Sequence, residues 1–357
     1  MLSPDRVREG ATELGLYRKD ASNLEGRASV VCFPVSTDEV RHCVLTARHH
    51  RMPFVARGSG TGLAGGAVPL DGAMVVSLTK MNRLLSVDTE SRFAWVEPGI
   101  LNLDLTRALT PHGFHFAPDP SSQQSCSIGG NVANNSGGPH CLADGVTSAH
   151  ILAVEVVLPD GSVTVLGGED PEPDGLDLRG AFVGSEGMLG IATKVCVRIT
   201  ENPPAVRTML VDFLDVDDGA KTVSAIIAAG MVPAALEMMD QLCLRAVEAF
   251  VHAGLPTDAG AVLLVEVTGS DASVERQVQA VSEICRGHGA RTVRVAQDEA
   301  ERQLLWKGRK SAFGAVARIK PNYYLHDTVV PRHRLTEVLS KVYEIAARYE
   351  LDVLNVF

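Results

Sequence analysis

No stretch of this sequence is apolar for long enough to cross a bilayer. The longest candidate, Ala225 to Met239, is interrupted by Gly230, Pro233 and Glu237, and a spanning helix needs about 20 consecutive apolar residues. No apolar run follows the charged start at Asp5, Arg6, Arg8 and Glu9, so no secretion signal is expected. The expectation is a cytoplasmic protein that reaches a membrane only peripherally, through partners. Positive charge is in deficit as well: 33 Lys and Arg against 43 Asp and Glu leave a net charge of −10. With no basic cluster, nucleic acid is excluded as an expected partner. The seven cysteines contain no C-x-x-C pair, and a structural disulfide is not expected in such a chain.

What is present begins with ordinary globular composition, 45% hydrophobic and 21% charged over 357 residues. That is enough for two domains and a large core. Against this background three segments stand out: Arg57-Gly58-Ser59-Gly60-Thr61-Gly62-Leu63-Ala64-Gly65-Gly66, Ser127-Ile128-Gly129-Gly130-Asn131-Val132-Ala133-Asn134-Asn135-Ser136-Gly137-Gly138, and Gly184-Ser185-Glu186-Gly187-Met188-Leu189-Gly190. Each offers backbone N–H groups with few side chains in the way, which is how main chain approaches a phosphate or a flat cofactor. The first contains Gly60-x-Gly62-x-x-Gly65, the dinucleotide fingerprint read literally. That fingerprint requires a helix to open after it. Gly66, Pro69 and Gly72 forbid one here, and Met74 to Leu78 reads as a strand. Phosphates would therefore lie on a loop between two strands.

Together with Pro118-Asp119-Pro120-Ser121-Ser122, Leu236-Glu237-Met238-Met239-Asp240 and Trp306-Lys307-Gly308-Arg309-Lys310, these segments resemble the flavin-binding oxidases of the vanillyl-alcohol oxidase superfamily. Within it the chain is most similar to glycolate oxidase D-subunits, relatives of D-lactate and D-2-hydroxyglutarate dehydrogenases. The resemblance runs from about Ala28 to the last residue. It implies an α+β fold: a two-subdomain FAD-binding domain of the PCMH type over residues 28–202, behind an N-terminal segment 1–27. A ferredoxin-like cap domain of the FAD-linked oxidase C-terminal type follows over 203–357. It also implies FAD, oxidation of a small 2-hydroxy acid such as glycolate or D-lactate, a protein or quinone electron acceptor, and partner subunits of a glycolate oxidase complex.

Periodicity supports that organisation. Ser36 and Glu39 form a capping box ahead of a helix with Val40, Cys43, Val44 and Ala47 on one face. Strands are expected at 29–33, 53–56, 73–78 and 92–96, a helix near 102–112, and a hairpin around Pro159-Asp160-Gly161. One long strand alternates from Ile191 to Ile199. Asn202-Pro203-Pro204 breaks the chain. Beyond it, strands 208–213, 234–238, 261–267 and 291–295 alternate with helices 218–229, 240–251 and 272–287, the pattern of a ferredoxin-like sandwich. Helices are expected at 299–316 and 332–350, and a strand begins at Asp352. Cys43, Cys196 and Cys285 fall in apolar-periodic segments and read as core.

For the cofactor, the expected contacts are Arg57, Gly58, Ser59, Gly60, Thr61, Gly62 and Leu63 at the diphosphate. Pro118, Asp119, Ser121, Ser125, Cys126, Ser127, Gly130, Asn134, Asn135 and Gly137 are expected around the second segment, and Glu186, Gly187, Gly190 and Ile191 at the adenosine part. Cys126 and Cys141 lie in or beside the second segment and could line the cofactor. Some relatives attach FAD covalently through a His near the first loop; Gly58 to Gly66 contains none, so FAD is expected to be held non-covalently. Arg309 matches the family's substrate-carboxylate arginine, the alternative being a solvated helical face beside Lys307 and Lys310. Tyr323 and Tyr324 would donate hydroxyls, and His326 is the imidazole available as a base unless it is a surface or core His. In the family the strand ending Asn355-Val356-Phe357 runs on into a His-Ala-Gly-Asp-Gly-Asn segment that carries a divalent metal or the base. On that resemblance the sequence is expected to be C-terminally incomplete, with no metal ligands of its own and weak turnover by itself. Two other readings stay open: a flavin-binding scaffold subunit, and an alkyl-transfer flavoenzyme on the same fold.

Overall fold

Short apolar runs punctuated by Pro and Gly become the strands of two larger sheets and one two-stranded sheet in the first half of the chain. The computed structural model describes residues 2–22, 24–170, 175–320 and 322–357. One unit runs to Gly138 and resumes over Asp144–Asn202; the other comprises Pro139–Ala143 and Pro203–Phe357.

In the first unit, β1 (Val7–Arg8), β2 (Ala28–Cys32), β3 (Phe54–Arg57) and β4 (Ala73–Ser77) form a sheet in the order β1-β2-β4-β3. β2 and β3 both run parallel to β4, which demands a crossover. Helix α1 (Ala11–Gly15) precedes β2, and α2 (Thr37–His49) makes the crossing between β2 and β3. Ser36 starts α2 by accepting the Glu39 N–H at 3.3 Å. Glu39 does not return the bond as a full capping box would: its carboxylate takes the Val35 N–H at 2.9 Å and pairs with Arg6. Val40, Cys43, Val44 and Ala47 are all buried, as their spacing predicts. Each fully buried valine contributes on the order of 1.5–3 kcal/mol.

The chain continues through β5 (Leu84–Asp88), β6 (Phe93–Val96), α3 (Asn102–Leu109), β7 (Phe114–His115), α4 (Ile128–Asn134), α5 (Cys141–Asp144), β8 (Ile151–Val157), β9 (Val163–Gly167), α6 (Leu178–Phe182), β10 (Ile191–Arg198) and β11 (Thr200–Glu201). An antiparallel sheet takes the order β5-β6-β10-β8-β9, and β7 pairs with β11. β10, held between β6 and β8, buries both faces. Its core includes Val96, Leu105, Leu109, Phe116, Ile128, Val132, Val154 and Val195. A second core joins the sheets through Val40, Val44, Val76, Val157 and Ile191. Two expectations are corrected. Strand β5 was not anticipated, since Leu84-Leu85-Ser86-Val87-Asp88 buries none of its residues fully. Within the second glycine-rich segment, Ile128–Asn134 forms α4, a helix not expected there.

The second unit strings β12 (Ala205–Phe213), α7 (Val216–Ala228), β13 (Ala235–Asp240), α8 (Gln241–Val251), β14 (Ala261–Gly269), α9 (Asp271–Gly287) and β15 (Ala290–Val295) into a sheet of order β13-β14-β12-β15, antiparallel throughout. This is the ferredoxin-like arrangement with α8 as an additional helix. Asp271 and Ser270 open α9 through the Ser270 hydroxyl, which accepts the Ser273 N–H at 3.3 Å. α10 (Glu299–Lys310) and α11 (Ala312–Ile319) replace the single helix expected over 299–316, with a break at Ser311, and α12 (Leu335–Arg348) closes the set. One sheet face buries Leu210, Ala235, Val262 and Leu264 with side chains of α8, α10 and α11. The other buries Met209, Phe213, Met238 and Leu263 with α7, α9 and α12. The last residues add to the edge of β13, where Phe357 N donates to Met238 O at 3.1 Å. Asp240 anchors them, its Oδ2 accepting from Asn355 N at 2.7 Å and Tyr343 Oη at 2.9 Å. Burial pushes the Asp240 carboxyl above its ordinary range in spite of these bonds.

Candidate functional site

In the first unit the glycine-rich segments converge on α4. The first leaves β3 and reaches β4 with no helix between them. A Cβ on Gly58 would strike Ser127 Oγ, and one on Gly62 would come within 3.8 Å of Asn134 Oδ1. The far end of the loop, Gly66, lies against Glu186 of the third segment, 3.8 Å from Oε2 by the same construction. The third segment is sewn to α4 by its backbone: Gly184 N and Glu186 N donate to Val132 O and Ala133 O, both at 2.8 Å. Ser127 caps α4, its Oγ accepting the Gly130 N–H at 3.4 Å. Asn135 ends the helix in the left-handed region, φ 48°, and its Oδ1 accepts from Ser148 N at 2.8 Å. The Pro118 stretch joins the same place through Asn102. The Asn102 Nδ2 donates to Pro118 O at 2.8 Å and to Asn131 Oδ1 at 2.9 Å.

Within the first loop, none of the backbone N–H groups from Gly58 to Ala67 has a hydrogen-bond partner among the described residues. Glycine is required at position 60, whose φ of +73° belongs to the left-handed region and whose Cβ would collide with the Arg57 guanidinium. Arg57 itself is buried and braces the loop, Nη1 donating to Ala67 O at 3.0 Å. Burial lowers its pKa, countered by the nearby Asp20 carboxylate. Arg57 therefore shapes the loop from beneath.

Other expected cofactor residues sort by where their side chains lie. Ser59, Thr61 and Leu63 sit on the loop, with Leu63 exposed. Ser121 is half-buried in the turn that Gln123 N closes onto Pro120 O at 2.8 Å. Asp119 is buried, and Gly138 packs against its backbone. Gly137 follows in irregular chain, and Gly187 takes a φ of +77°. Three more of the expected residues differ in how their side chains are placed. Cys126 is buried against Asn131, 3.5 Å from its Nδ2. Ser125 is exposed. The Ile191 side chain lies in the apolar core, leaving only its backbone for a ligand. Cys141 is exposed, whereas Cys43, Cys196 and Cys285 are buried.

Sequence reasoning missed Asn102 and the Pro98-Gly99-Ile100 turn. Gly129 N donates to Pro98 O at 2.7 Å and Ile128 N to Ile100 O at 2.9 Å, so this turn supports the start of α4. Gly99 and Ile100 also line a cleft of about 310 Å³ with Thr79, Asn82, Leu101 and Asp104. A Pro-Gly pair directly after a strand was the available signal. Asn102 Oδ1 and Ser185 Oγ are buried with no hydrogen-bond partner among the described residues, which leaves polar groups at this locus for a ligand to satisfy.

In the second unit the expected catalytic side chains come from two stretches, Arg309 from α10 and Tyr324 and His326 from the chain beyond α11. Arg309 is nearly buried and ion-paired through Nη2 to Glu237 on β13, so the solvated-face alternative fails. Its Nε is buried with no hydrogen-bond partner among the described residues. Tyr324 and His326 are exposed, with ring centroids 4.8 Å apart. No hydrogen bond, ion pair or ring contact joins either to Arg309 among the described residues. Tyr323 is exposed beside them.

A buried carboxylate that sequence reasoning overlooked organises this unit. Glu266 on β14 accepts from His140 Nε2 at 3.0 Å, Thr208 Oγ1 at 2.5 Å, Trp306 Nε1 at 2.6 Å and Arg302 Nη1 at 3.1 Å. Burial works to raise its pKa, but the bonds from His140 and Thr208 and the Arg302 charge hold it down at about 2. Arg302, Trp306 and Arg309 recur at i, i+4 and i+7 on α10, one face of the helix. Two acidic side chains of the sheet, Glu266 and Glu237, thus dock that face. The acidic residue in the run Val262 to Val267 was the only signal, and a strand Glu by itself reads as solvated.

The comparisons agree with this geometry. Residues 28–167 match the model of the FAD binding domain, and residues 202–357 that of the FAD linked oxidases, C-terminal domain. A glycolate oxidase subunit GlcD of Escherichia coli is 44% identical over 331 residues, which cover 93% of this chain and 66% of the relative. The chain thus spans just under two thirds of that protein's length. Its Bacillus subtilis counterpart is 40% identical over 340 residues, 95% of this chain and 72% of the relative.

The chain belongs to the FAD-linked oxidase family.

The fold recurs in a solved 4-ethylphenol oxidase from Gulosibacter chungangensis, with a TM-score of 0.83, 20% identity, and coverage of 99% of this chain and 77% of that one. FAD is the cofactor of this chain, and the residues present fit it. A long, polar, diphosphate-bearing molecule needs free main-chain donors at close range. The loop from Gly58 provides them, with the orphaned Ser185 and Asn102 oxygens close to the same helix. Among the described residues no helix is long and apolar enough to cross a membrane, and no cluster of His, Cys, Asp or Glu could hold a metal ion.

Proposed function

We propose that this chain carries the flavin of an enzyme that oxidises a small 2-hydroxy acid, glycolate or D-lactate, to the 2-oxo acid. The observation that carries the reading is the convergence of the glycine-rich segments on α4, in a chain 44% identical to a glycolate oxidase subunit. When bound, FAD would supply the two-electron acceptor for the hydride from the substrate α-carbon, and the hydroxyl proton would pass to water or to the exposed imidazole of His326. The chain's own work is to bind and orient. The N–H groups from Gly58 to Leu63, with the Thr61 hydroxyl, take the diphosphate. Ser121, Ser127, Asn134 and Asn135 serve the middle of the cofactor, and Glu186, Gly187 and Gly190 its adenosine end. Arg309 takes the substrate carboxylate, supported by its buried, partly unsatisfied guanidinium; Glu237 fixes one edge of that fork and leaves the rest for the acid.

The flavin is held non-covalently, a reading supported by a first loop that has no His. Further subunits complete the enzyme, as the names of its relatives suggest, and electrons leave to a protein or quinone acceptor.

The test is anaerobic addition of glycolate and D-lactate to the purified yellow protein that contains this chain. Bleaching of the flavin band with formation of the 2-oxo acid is the expected result. A protein with full flavin content that no 2-hydroxy acid bleaches would reduce the proposal to a flavin-binding subunit. Acid precipitation should release all the colour into the supernatant; colour in the pellet would overturn non-covalent binding.

A further inference from the structure

The segment ahead of β2, charged and weakly patterned in sequence, lies against the first glycine-rich loop. Ala21 N donates to Gly62 O at 3.1 Å. Leu24 packs where a Cβ on Gly65 would stand. The Arg57 guanidinium lies under the Tyr17 ring, 5.4 Å from its centroid. Phe33, at the end of β2, sets that ring edge-on at 5.8 Å. Asp20 acts on Arg57 through space and turns its own chain by accepting Ser22 N at 2.9 Å. A line of contacts thus runs from Phe33 through Tyr17 to Arg57, and from Arg57 to Gly60 and Ala67 at the loop.

We propose that Tyr17 and Ala21 are positioning residues for the flavin, holding the first glycine-rich loop in its binding shape through Arg57 and Gly62. Neither residue needs to touch the cofactor. A loop of glycines has many conformations to lose on binding, and its free N–H groups bind tightly only if they already point one way. Arg57 cannot supply that order alone, because a buried guanidinium without the Tyr17 face and the Asp20 charge would have to be desolvated for a single carbonyl bond. The inference rests on the first loop being part of the flavin site and is independent of the substrate.

The test uses the flavin-loaded protein and follows FAD release on dilution by the rise of free-flavin fluorescence, beside the melting temperature. Tyr17→Leu should speed release about tenfold, the loss expected for a desolvated cation–π contact. Tyr17→Phe keeps the ring and should release at the wild-type rate. Ala21→Pro removes one N–H and should speed release about fivefold. Should Tyr17→Leu not fold, Ala21→Pro and the milder Asp20→Asn carry the same comparison. A lower melting temperature with unchanged release in these variants would show a purely structural role and overturn the proposal, as would Tyr17→Phe releasing as fast as Tyr17→Leu. Wild-type protein that binds no FAD would instead refute the flavin reading of the loop.

Discussion

The two units build their sites from opposite materials. Around α4 the proposed site is built of backbone: free N–H groups, glycines at φ values that side chains avoid, and one arginine placed beneath the loop as a brace. Around α10 it is side-chain charge, with Glu266 and Glu237 buried under a sheet face and matched by Arg302, His140, Trp306 and Arg309. A backbone site suits a cofactor that is bound once and kept, because it presents dipoles without a formal charge to neutralise. A charged site suits a small acid that must come and go, because one cation supplies both affinity and orientation. The sensitivities should differ accordingly: the first to any added carbon, the second to charge and pH.

The largest effect on flavin binding should come from Gly60→Val. It forces a β-branched residue to a positive φ and drives its Cβ into Arg57, a combination that should weaken FAD binding at least about 100-fold. The ratio of flavin to protein absorbance after purification reports it. Full flavin content in this variant would remove the loop from the cofactor site.

Next comes Glu266→Leu, which leaves Arg302 and His140 facing an apolar group. Breaking a buried pair from one side costs about 3–5 kcal/mol. Urea unfolding should show this loss in the second unit while the flavin stays bound. A loss of flavin at the same urea concentration would show that the two sites are not independent.

Acid should act through the same carboxylate. The Glu266 pKa lies at about 2 in the folded chain against an ordinary 4.5. Its contribution is therefore complete above about pH 4.5 and is lost as the pH falls through the folded value, about 3 kcal/mol in all. Asp240, raised by burial, tilts the other way: it favours folding at low pH and gives that up as the pH rises through its folded pKa. Comparing acid unfolding of the wild type with Glu266→Gln isolates the first, and the variant should show the shallower dependence. Identical acid profiles would refute the assignment.

The smallest effect should be Arg309→Lys in an enzyme containing this chain. Lysine keeps the charge and loses the fork, so KM for the hydroxy acid should rise about tenfold with flavin content unchanged. An unchanged KM would make the Arg309–Glu237 pair a structural strut.

Legibility in the sequence followed the same division. The glycine-rich segments were visible because glycine at that density has few structural reasons, and the strand after the first loop was visible from Pro69, Gly72 and the apolar run at Met74. The stripe Val40, Cys43, Val44 and Ala47 announced α2 by its period. The order of the ferredoxin-like unit followed from alternating periods after Asn202. Helix α4 was hidden because its Gly129 and Gly130 are poor helix formers; it survives through the Ser127 cap and the packing of Gly129 on Pro98. The break at Ser311 was hidden because the apolar period runs on through it.

The sequence alone determined which backbone could come close to a cofactor, because conformational freedom is a property of the residue itself. Only the tertiary structure decided which charges meet. Glu266 and His140 are 126 residues apart, Glu237 reads like any strand-borne acid, and Tyr17 looks like part of an unpatterned segment. Their roles arise from desolvation and pairing, and those depend on neighbours that exist only once the chain has folded.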